Sequence, residues 1–330
     1  GEIAAELAGL DVAVVIWTTT PWTLPANLAV ALHPDFGYAA VETGDGQALI
    51  LARELVDDCM QIFGIADYRI LADLKAQDLE SKRCRHPFYD RDSLIILGDH
   101  VTLEAGTGCV HTAPGHGRED YDVGLQYGLD AYSPVNDNGV FTDDVDRFAG
   151  QFVFKANDNI NQTLKEKGVL LAKAEIAHSY PHCWRCKRPV ILRATPQWFI
   201  SMEKTDLRQT PLEAIDRVKW IPHWGRERIF GMIENRPDWC VSRQRAWGVP
   251  ITVFLCERCD AVHMDEATMN HVFDQFAAHG ADVWFEKEAA ELMPQGTVCN
   301  SCGHSTFNKE TDILDVWFDS GVSHAAVLED

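Results

Sequence analysis

Over its first 175 residues the chain alternates short apolar runs with turn residues. Residues 12–17, 48–52 and 94–97 are wholly apolar and bounded by polar or turn residues (Asp11 and Thr18, Gln47 and Arg53, Ser93 and Gly98), the pattern of buried strands. Helical spacing is rarer. It predicts helices over 53–63, from about Glu119 after a Gly-rich turn, and over 157–167, where Gly168 supplies a stop. The expected fold class is mixed α+β, led by a strand-rich, barrel-like domain over 1–180. From Ser179 the texture changes to Pro, Trp and Arg, then to a Cys-rich stretch at about 251–309, and finally to a short apolar run at 313–318. Inside that stretch Met269, Val272, Phe273 and Phe276 recur at helical spacing, and Gly280 offers an end. No internal repeat or low-complexity tract interrupts this order.

Composition makes a buried core affordable: 46% of the 330 residues are hydrophobic, with ten Trp and fifteen Phe. No apolar run approaches the roughly 20 residues of a membrane span, and residues 1–10 hold two Glu and no cationic stretch, so a soluble, unsecreted, cytoplasmic protein without membrane partners is expected. The chain lacks an initiating Met and its last residues trail out of a patterned segment, which reads as a piece of something longer.

The net charge of −21 argues against a general polyanion-binding surface, but it is unevenly spread. Residues 1–180 hold 13 basic against 28 acidic side chains, 181–250 hold 13 against 7, and 251–330 hold 3 against 15. The basic middle segment also carries Trp184, Trp198, Trp220, Trp224, Trp239 and Trp247 among its cations. Cations interleaved with aromatics suit nucleic acid, although a solvated surface gives the same composition.

Six of the ten Cys fall into Cys-x-x-Cys pairs: Cys183/Cys186, Cys256/Cys259 and Cys299/Cys302. Two such turns supply the four thiolates of a tetrahedral zinc site, so Cys256, Cys259, Cys299 and Cys302 are expected to hold structural zinc; disulfides are the competing reading, disfavoured without a secretory signal. Cys183 and Cys186 have no second pair left in the chain and are either half a metal site or free thiols.

Two loops could carry chemistry. The first strand runs into Thr18-Thr19-Thr20-Pro21-Trp22 and on to Asn27, where three hydroxyls precede a residue that cannot extend a ladder. These groups either meet a ligand or simply end a strand. In the second loop a strand ends at His111, a Pro-Gly turn follows, and Glu119 and Asp120 open a helix. Asp120 can cap that helix or pair with a ligand ammonium, with His111 shaping the pocket. His111 and His116 lack the one-face spacing of a helical metal-binding pair.

Together, the string from Trp17 to Asn27, the loop from His111 to Tyr121, Asp238-Trp-Cys-Val-Ser-Arg-Gln-Arg-Ala-Trp-Gly248 and Asp315-Val-Trp-Phe-Asp-Ser-Gly321 resemble the bacterial isoleucyl-tRNA synthetases, a class I family, over essentially the whole chain. The related valyl and leucyl enzymes carry Arg after the paired Thr where this chain has Thr20. The resemblance implies an editing domain over 1–180, a connective part of a Rossmann-like catalytic body over 181–250, a zinc-ribbon-like insert over 251–309 and a returning segment of the body over 310–330. It also implies that the missing partner of Cys183/Cys186 is a Cys pair preceding the editing insertion. The His-x-Gly-His and Lys-Met-Ser-Lys-Ser signatures that handle ATP are absent from this sequence, so ATP and magnesium belong to the longer enzyme.

By the same resemblance the chemistry is hydrolysis of mischarged valyl-tRNA(Ile) by a monomer that takes tRNA(Ile) as partner. Asp120 would bind the aminoacyl ammonium, Thr18, Thr19, Thr20 and Asn27 the ester and terminal adenosine, and His111 would help exclude isoleucine. With no nucleophile set evident, a positioned water would attack. Two other readings stay open: a zinc-dependent hydrolase using His111, His116 and Asp120, and a non-enzymatic RNA-binding zinc module over 181–310.

Overall fold

The computed structural model describes residues 3–44 and 46–329. They form two compact units, the first running to Thr195 and the second beginning at Pro196. None of the described helices is long and apolar enough to cross a membrane.

The first unit is built on eight strands: β1 (Asp11–Val14), β2 (Ala29–Leu32), β3 (Gly37–Glu42), β4 (Gln47–Ala52), β5 (Arg69–Lys75), β6 (Arg83–Arg85), β7 (Asp92–Leu97) and β8 (Cys109–Thr112). They make two four-stranded mixed sheets, ordered β1-β4-β3-β5 and β6-β7-β2-β8. Within them β1/β4 and β2/β7 run parallel and the other pairs antiparallel. Strand alternation then assigns the layers. Tyr38, Ala40, Ile50 and Leu74 of one sheet pack with Val30, Leu32, Ile95 and Cys109 of the other in a shared core.

The opposite faces are covered by helices. Ala39, Val41, Leu49 and Leu51 meet Val56, Cys59 and Met60 of α1 (Val56–Phe63). A single turn, α2 (Ala76–Leu79), follows β5, and Ala29, Ala31 and Ile96 meet Val123 of α3 (Arg118–Gln126). Helix α4 (Val153–Glu166) starts four residues before the expected helix. Its stripe of Val153, Ala156, Ile160 and Leu164 packs on Trp22, Leu24, Phe88 and Phe148 in a core of its own.

The expected barrel is not there: β5 and β6 are outer edges and the sheets do not close. What imitates one is the first strand, which changes partner along its length. Val15 N–H still bonds Ile50 O in the first sheet, whereas Trp17 N–H bonds Cys109 O in the second. The two sheets are therefore joined at one corner, where the threonine loop begins.

The second unit is a set of small antiparallel pairings. β9 (Phe199–Ile200) pairs β10 (Trp239–Cys240), and β11 (Ser242–Arg243) pairs β15 (Ile313–Leu314). Helices α5 (Gln209–Arg217) and α6 (Gly225–Glu234) lie between β9 and β10. β12 (Phe254–Cys256) is central to a three-stranded sheet with β13 (Val262–His263) and β14 (Phe307–Lys309). Among the described residues of this unit no strands pair in parallel, so it contains no Rossmann-like sheet of its own; its strands are two or three residues long and pair antiparallel. Helix α7 (Glu266–His279) ends at Gly280 as expected, with Asp265 capping its start by accepting from Thr268 N–H at 2.8 Å. Val272 and Thr268 are its buried positions, while Phe273 stands 70% exposed.

Candidate active site and cysteine cluster

The threonine loop leaves the first strand at the sheet corner and closes into a 3-10 turn, Pro21–Ala26, packed on α4. Thr19 is exposed, while Thr18 and Thr20 are half-buried, with Thr20 N–H bonded to Thr18 Oγ1 at 3.1 Å. Beneath them lies a buried polar chain. Asn27 Nδ2 can only donate, so His111 Nδ1, 2.7 Å away, accepts and Nε2 carries the hydrogen. That hydrogen goes to Thr23 Oγ1 at 2.9 Å, and Thr23 passes its own to Thr20 O at 2.8 Å. Asn27 also donates to Ala29 O at 2.8 Å and accepts from Ser93 Oγ. Burial, then the neighbouring His86 and His116, holds the His111 pKa down at about 3, so its ring is neutral.

Sequence reasoning missed the anchors below this chain. His86 Nε2 donates to Leu24 O at 3.0 Å while its Nδ1 accepts from Phe88 N–H at 3.0 Å, and Arg91 Nη2 donates to Pro25 O. Asn157 Oδ1 accepts from Trp22 N–H at 2.9 Å. His86 is buried and Arg91 and Asn157 are half-buried, each far along the chain from the loop it holds, so no local pattern signalled them.

Asp120 does not cap its helix. Gly117 is the N-cap of α3 and provides no side-chain bond, while Asp120 Oδ2 accepts from Ala113 N–H at 2.8 Å across the Pro-Gly turn. Burial pushes its carboxyl pKa up, partly offset by the Ala113 bond. The turn is tight: a Cβ on Gly115 would stand 2.1 Å from Tyr132 O, so only Gly fits. Beside Asn27, a cleft of about 330 Å³ is lined by Leu28, Arg91, Asp130, Ala131 and Tyr132, none of them an expected site residue.

The structure thus gathers Thr18, Thr20, Asn27 and His111 around one loop, and sets Asp120 on the next. The two loops meet where Trp22 and His116 pack edge to face, ring centroids 5.0 Å apart. A metal on His111, His116 and Asp120 is excluded by the geometry, since both His111 nitrogens are already spent on Thr23 and Asn27.

The four cysteines of the second unit do come together. Cys256, Cys259, Cys299 and Cys302 place their sulfurs within 4.8 Å of one another and can hold a metal ion. Sγ–Sγ distances of 3.6 Å (Cys256/Cys302) and 3.7 Å (Cys259/Cys299) are far too long for disulfides. They match the roughly 3.8 Å edge of a tetrahedron with metal–sulfur bonds of about 2.3 Å.

Each pair sits in the same knuckle, and Cys183/Cys186 repeats it. In all three the first Cys N–H bonds the carbonyl five residues on (Arg188, Ala261, His304), and its carbonyl accepts from the residue four on (Lys187, Asp260, Gly303). That last residue has positive φ in every case, 58°, 53° and 71° respectively. Backbone N–H groups of Cys302 and Ser301 pull the Cys299 thiol down, whereas Cys259, although lowered by the Ala261 N–H, is raised overall by hydrogen bonding within the cluster and by burial, so the thiolate a metal needs forms first at Cys299.

The sequence model of the tRNA synthetases class I (I, L, M and V) matches residues 14–330, and the chain belongs to that family. Within it the chain is similar to curated isoleucine–tRNA ligases. The Geobacter sulfurreducens protein is 61% identical over 329 residues, covering 100% of this chain and 35% of its own length; that of Syntrophotalea carbinolica is 60% identical over 332 residues, covering 100% and 36%. The chain therefore spans about a third of the length of the relatives it matches. Among solved structures, the P. knowlesi cytosolic leucyl-tRNA synthetase editing domain aligns with 48% of this chain and 83% of its own at a TM-score of 0.40 and 12% identity.

Proposed function

We propose that the first unit hydrolyses the valine ester of tRNA(Ile), as the editing part of an isoleucyl-tRNA synthetase. The observation that carries this is the pairing of two loops: half-buried hydroxyls of Thr18 and Thr20 on one, the Asp120 carboxylate on the other. The need follows from energetics. One methylene is worth only about 1–3 kcal/mol of discrimination, isoleucine against valine being the usual illustration of that limit, so a second sieve is required.

In this reading Asp120 receives the substrate ammonium on the carboxylate oxygen that Ala113 does not use, and Thr18, Thr19 and Thr20 hold the ester and the terminal adenosine. Asn27 and His111 act from beneath, fixing the loop whose wall excludes isoleucine. Water attacks the ester carbonyl, held by positioned donors rather than by a protein nucleophile. The four paired cysteines of the second unit hold structural zinc that takes no part in this chemistry, making residues 251–309 a zinc-ribbon-like insert, and Cys183/Cys186 is half of a second site. Residues 181–250 and 310–330 belong to the catalytic body of the longer cytoplasmic enzyme, which would ligate isoleucine to tRNA(Ile) with ATP and magnesium.

The deciding experiment is deacylation of valyl-tRNA(Ile) and isoleucyl-tRNA(Ile) by the chain. Selective release of valine is expected. Equal rates on both esters, or none above the uncatalysed rate, would overturn the reading.

A further inference from the structure

The Pro-Gly turn that sets Asp120 is held from outside by an irregular strap, residues 190–194. Ala194 N–H donates to Gly115 O at 2.7 Å, and Leu192 O accepts from His116 Nδ1 at 2.9 Å. Arg193 fastens the strap to a neighbouring turn, donating to Val135 O at 3.1 Å and pairing with Asp137, while Ile191 Cδ1 stands 2.6 Å from where a Cβ on Gly139 would sit. From there two bonds lead to the candidate site. His116 N–H returns to Ala113 O at 2.8 Å, and Ala113 N–H is the donor to Asp120 Oδ2.

The strap is also the outgoing arm of the hairpin that carries Cys183 and Cys186 at its tip. His182 and Pro189 bridge the two arms, Val190 N–H donates to Pro181 O at 3.1 Å, and Tyr180 Oη donates to Val190 O at 3.1 Å. Val190 therefore ends the hairpin and begins the strap. Residues 181–189 are exposed apart from the half-buried Cys183, with Trp184 standing 76% exposed, so this hairpin has backbone bonds but no apolar core beneath them. Such segments open readily.

Two thiolates closed on a cation supply what the missing core does not, since metal binding and local folding are one event in small segments of this kind. The pair suits that use. Its knuckle repeats the backbone of the pairs at 256–261 and 299–304, and the N–H groups of Cys186 and Arg185 hold the Cys183 thiol below the ordinary range.

We propose that a thiophilic metal ion on Cys183 and Cys186 fastens this hairpin and, through residues 190–194, the turn at 113–116, so that the metal state of the knuckle governs how firmly the Asp120 loop is held. The route is continuous, running along the chain from Cys186 to Ala194 and then through the bonds at Gly115, His116 and Ala113. Leu192, Arg193 and Ala194 are positioning residues. If the editing reading holds, and only this step rests on it, the pair is a control point of deacylation: metal loss loosens the loop that receives the substrate ammonium without altering any group that touches substrate.

Amide hydrogen exchange read by NMR on the full chain, with cadmium as the probe, tests the coupling without substrate. The Cys183→Ser/Cys186→Ser double variant keeps the four-cysteine cluster and is the blank for cadmium bound there. Cadmium–thiolate absorbance above that blank is expected, with exchange slowed about fivefold or more at Lys187, Ala194 and His116 and unchanged in β3. No absorbance above the blank, slowing confined to Lys187, or equal slowing in β3 would each overturn the proposal. Should the double variant fail to fold, Cys186→Ser alone, at an exposed position, takes its place. Because no ester is present, a negative result leaves the editing reading standing, and a chain inactive in deacylation leaves this measurement valid.

Discussion

Replacing His111 by Ala should destabilise the first unit before it changes any chemistry. The ring is 5% exposed and both nitrogens are paired, at 2.7 Å with Asn27 and 2.9 Å with Thr23. Truncation leaves an Asn27 N–H and a Thr23 oxygen each short of one buried partner, at about 1–3 kcal/mol apiece. Both keep one other bond, to Ala29 O and Thr20 O, which places the sum in the lower part of that range, about 2–4 kcal/mol. With a urea slope of about 1–3 kcal/mol per molar, the unfolding midpoint should fall by roughly 1–2 M. Thr23→Val removes the same His111 bond from the other side, so the two substitutions should be non-additive by about 1 kcal/mol. A midpoint lowered by less than about 0.3 M, or strictly additive effects, would refute the buried chain as the support of the loop. The sieve is read separately: a softened loop should raise the isoleucyl rate relative to the valyl rate, and an unchanged ratio would remove His111 from discrimination.

Acid should loosen the same loop through His86, whose pKa burial and Arg91 lower from 6.5 to about 4. The unfolded chain binds the extra proton, so this stability is complete above about pH 6.5 and is lost as pH falls toward 4, amounting to about 3 kcal/mol; His86→Gln should flatten that part of the pH–stability curve, and a curve unchanged in slope would count against it. Zinc analysis of reduced protein should find about one ion held by Cys256, Cys259, Cys299 and Cys302, released by Cys299→Ser together with the three-stranded sheet around β12; metal-free but folded protein would refute the site. Asp120→Asn keeps an oxygen for Ala113 N–H and deletes only the charge, so deacylation should fall at least about 100-fold with melting unchanged, whereas retained activity would reduce Asp120 to a loop clip.

How much of this was legible in the sequence depends on the range of the interaction. The strand at 47–52 was readable because both its faces are buried, one against the other sheet and one against α1, which forces a continuous apolar run. Helix α7 was readable from its period and Gly280, but Phe273 misled: it is apolar and solvent-facing, while Thr268 takes a buried place. Barrel closure was not readable, because it depends on whether β5 and β6 find partners, and no local pattern reports that. Each Cys-x-x-Cys turn was legible because the knuckle is local to six residues, and the meeting of Cys256, Cys259, Cys299 and Cys302, across 40 and 46 residues, was legible only because two copies of the same turn imply a shared centre. His86, Arg91 and Ser93 were not, because their partners lie 62 to 66 residues away.

The polar groups of the first unit sort into two sets by whether their bonding capacity is used up. Asn27, His86 and His111 are neutral, buried and satisfied, so they can fix the backbone of 20–27 but have nothing left to offer a substrate. Thr18, Thr19, Thr20 and the second oxygen of Asp120 hold unspent capacity on the solvent side of that frame. A hydrolytic site without a protein nucleophile depends on water and ester being held at fixed geometry, which demands rigidity beneath and free groups above. Neutral histidines suit the lower layer because each directs one donor and one acceptor without importing a charge that burial would penalise. The buried half of the candidate site therefore escapes motif reasoning, while the exposed half is what the threonine run and the Asp120 loop display in sequence.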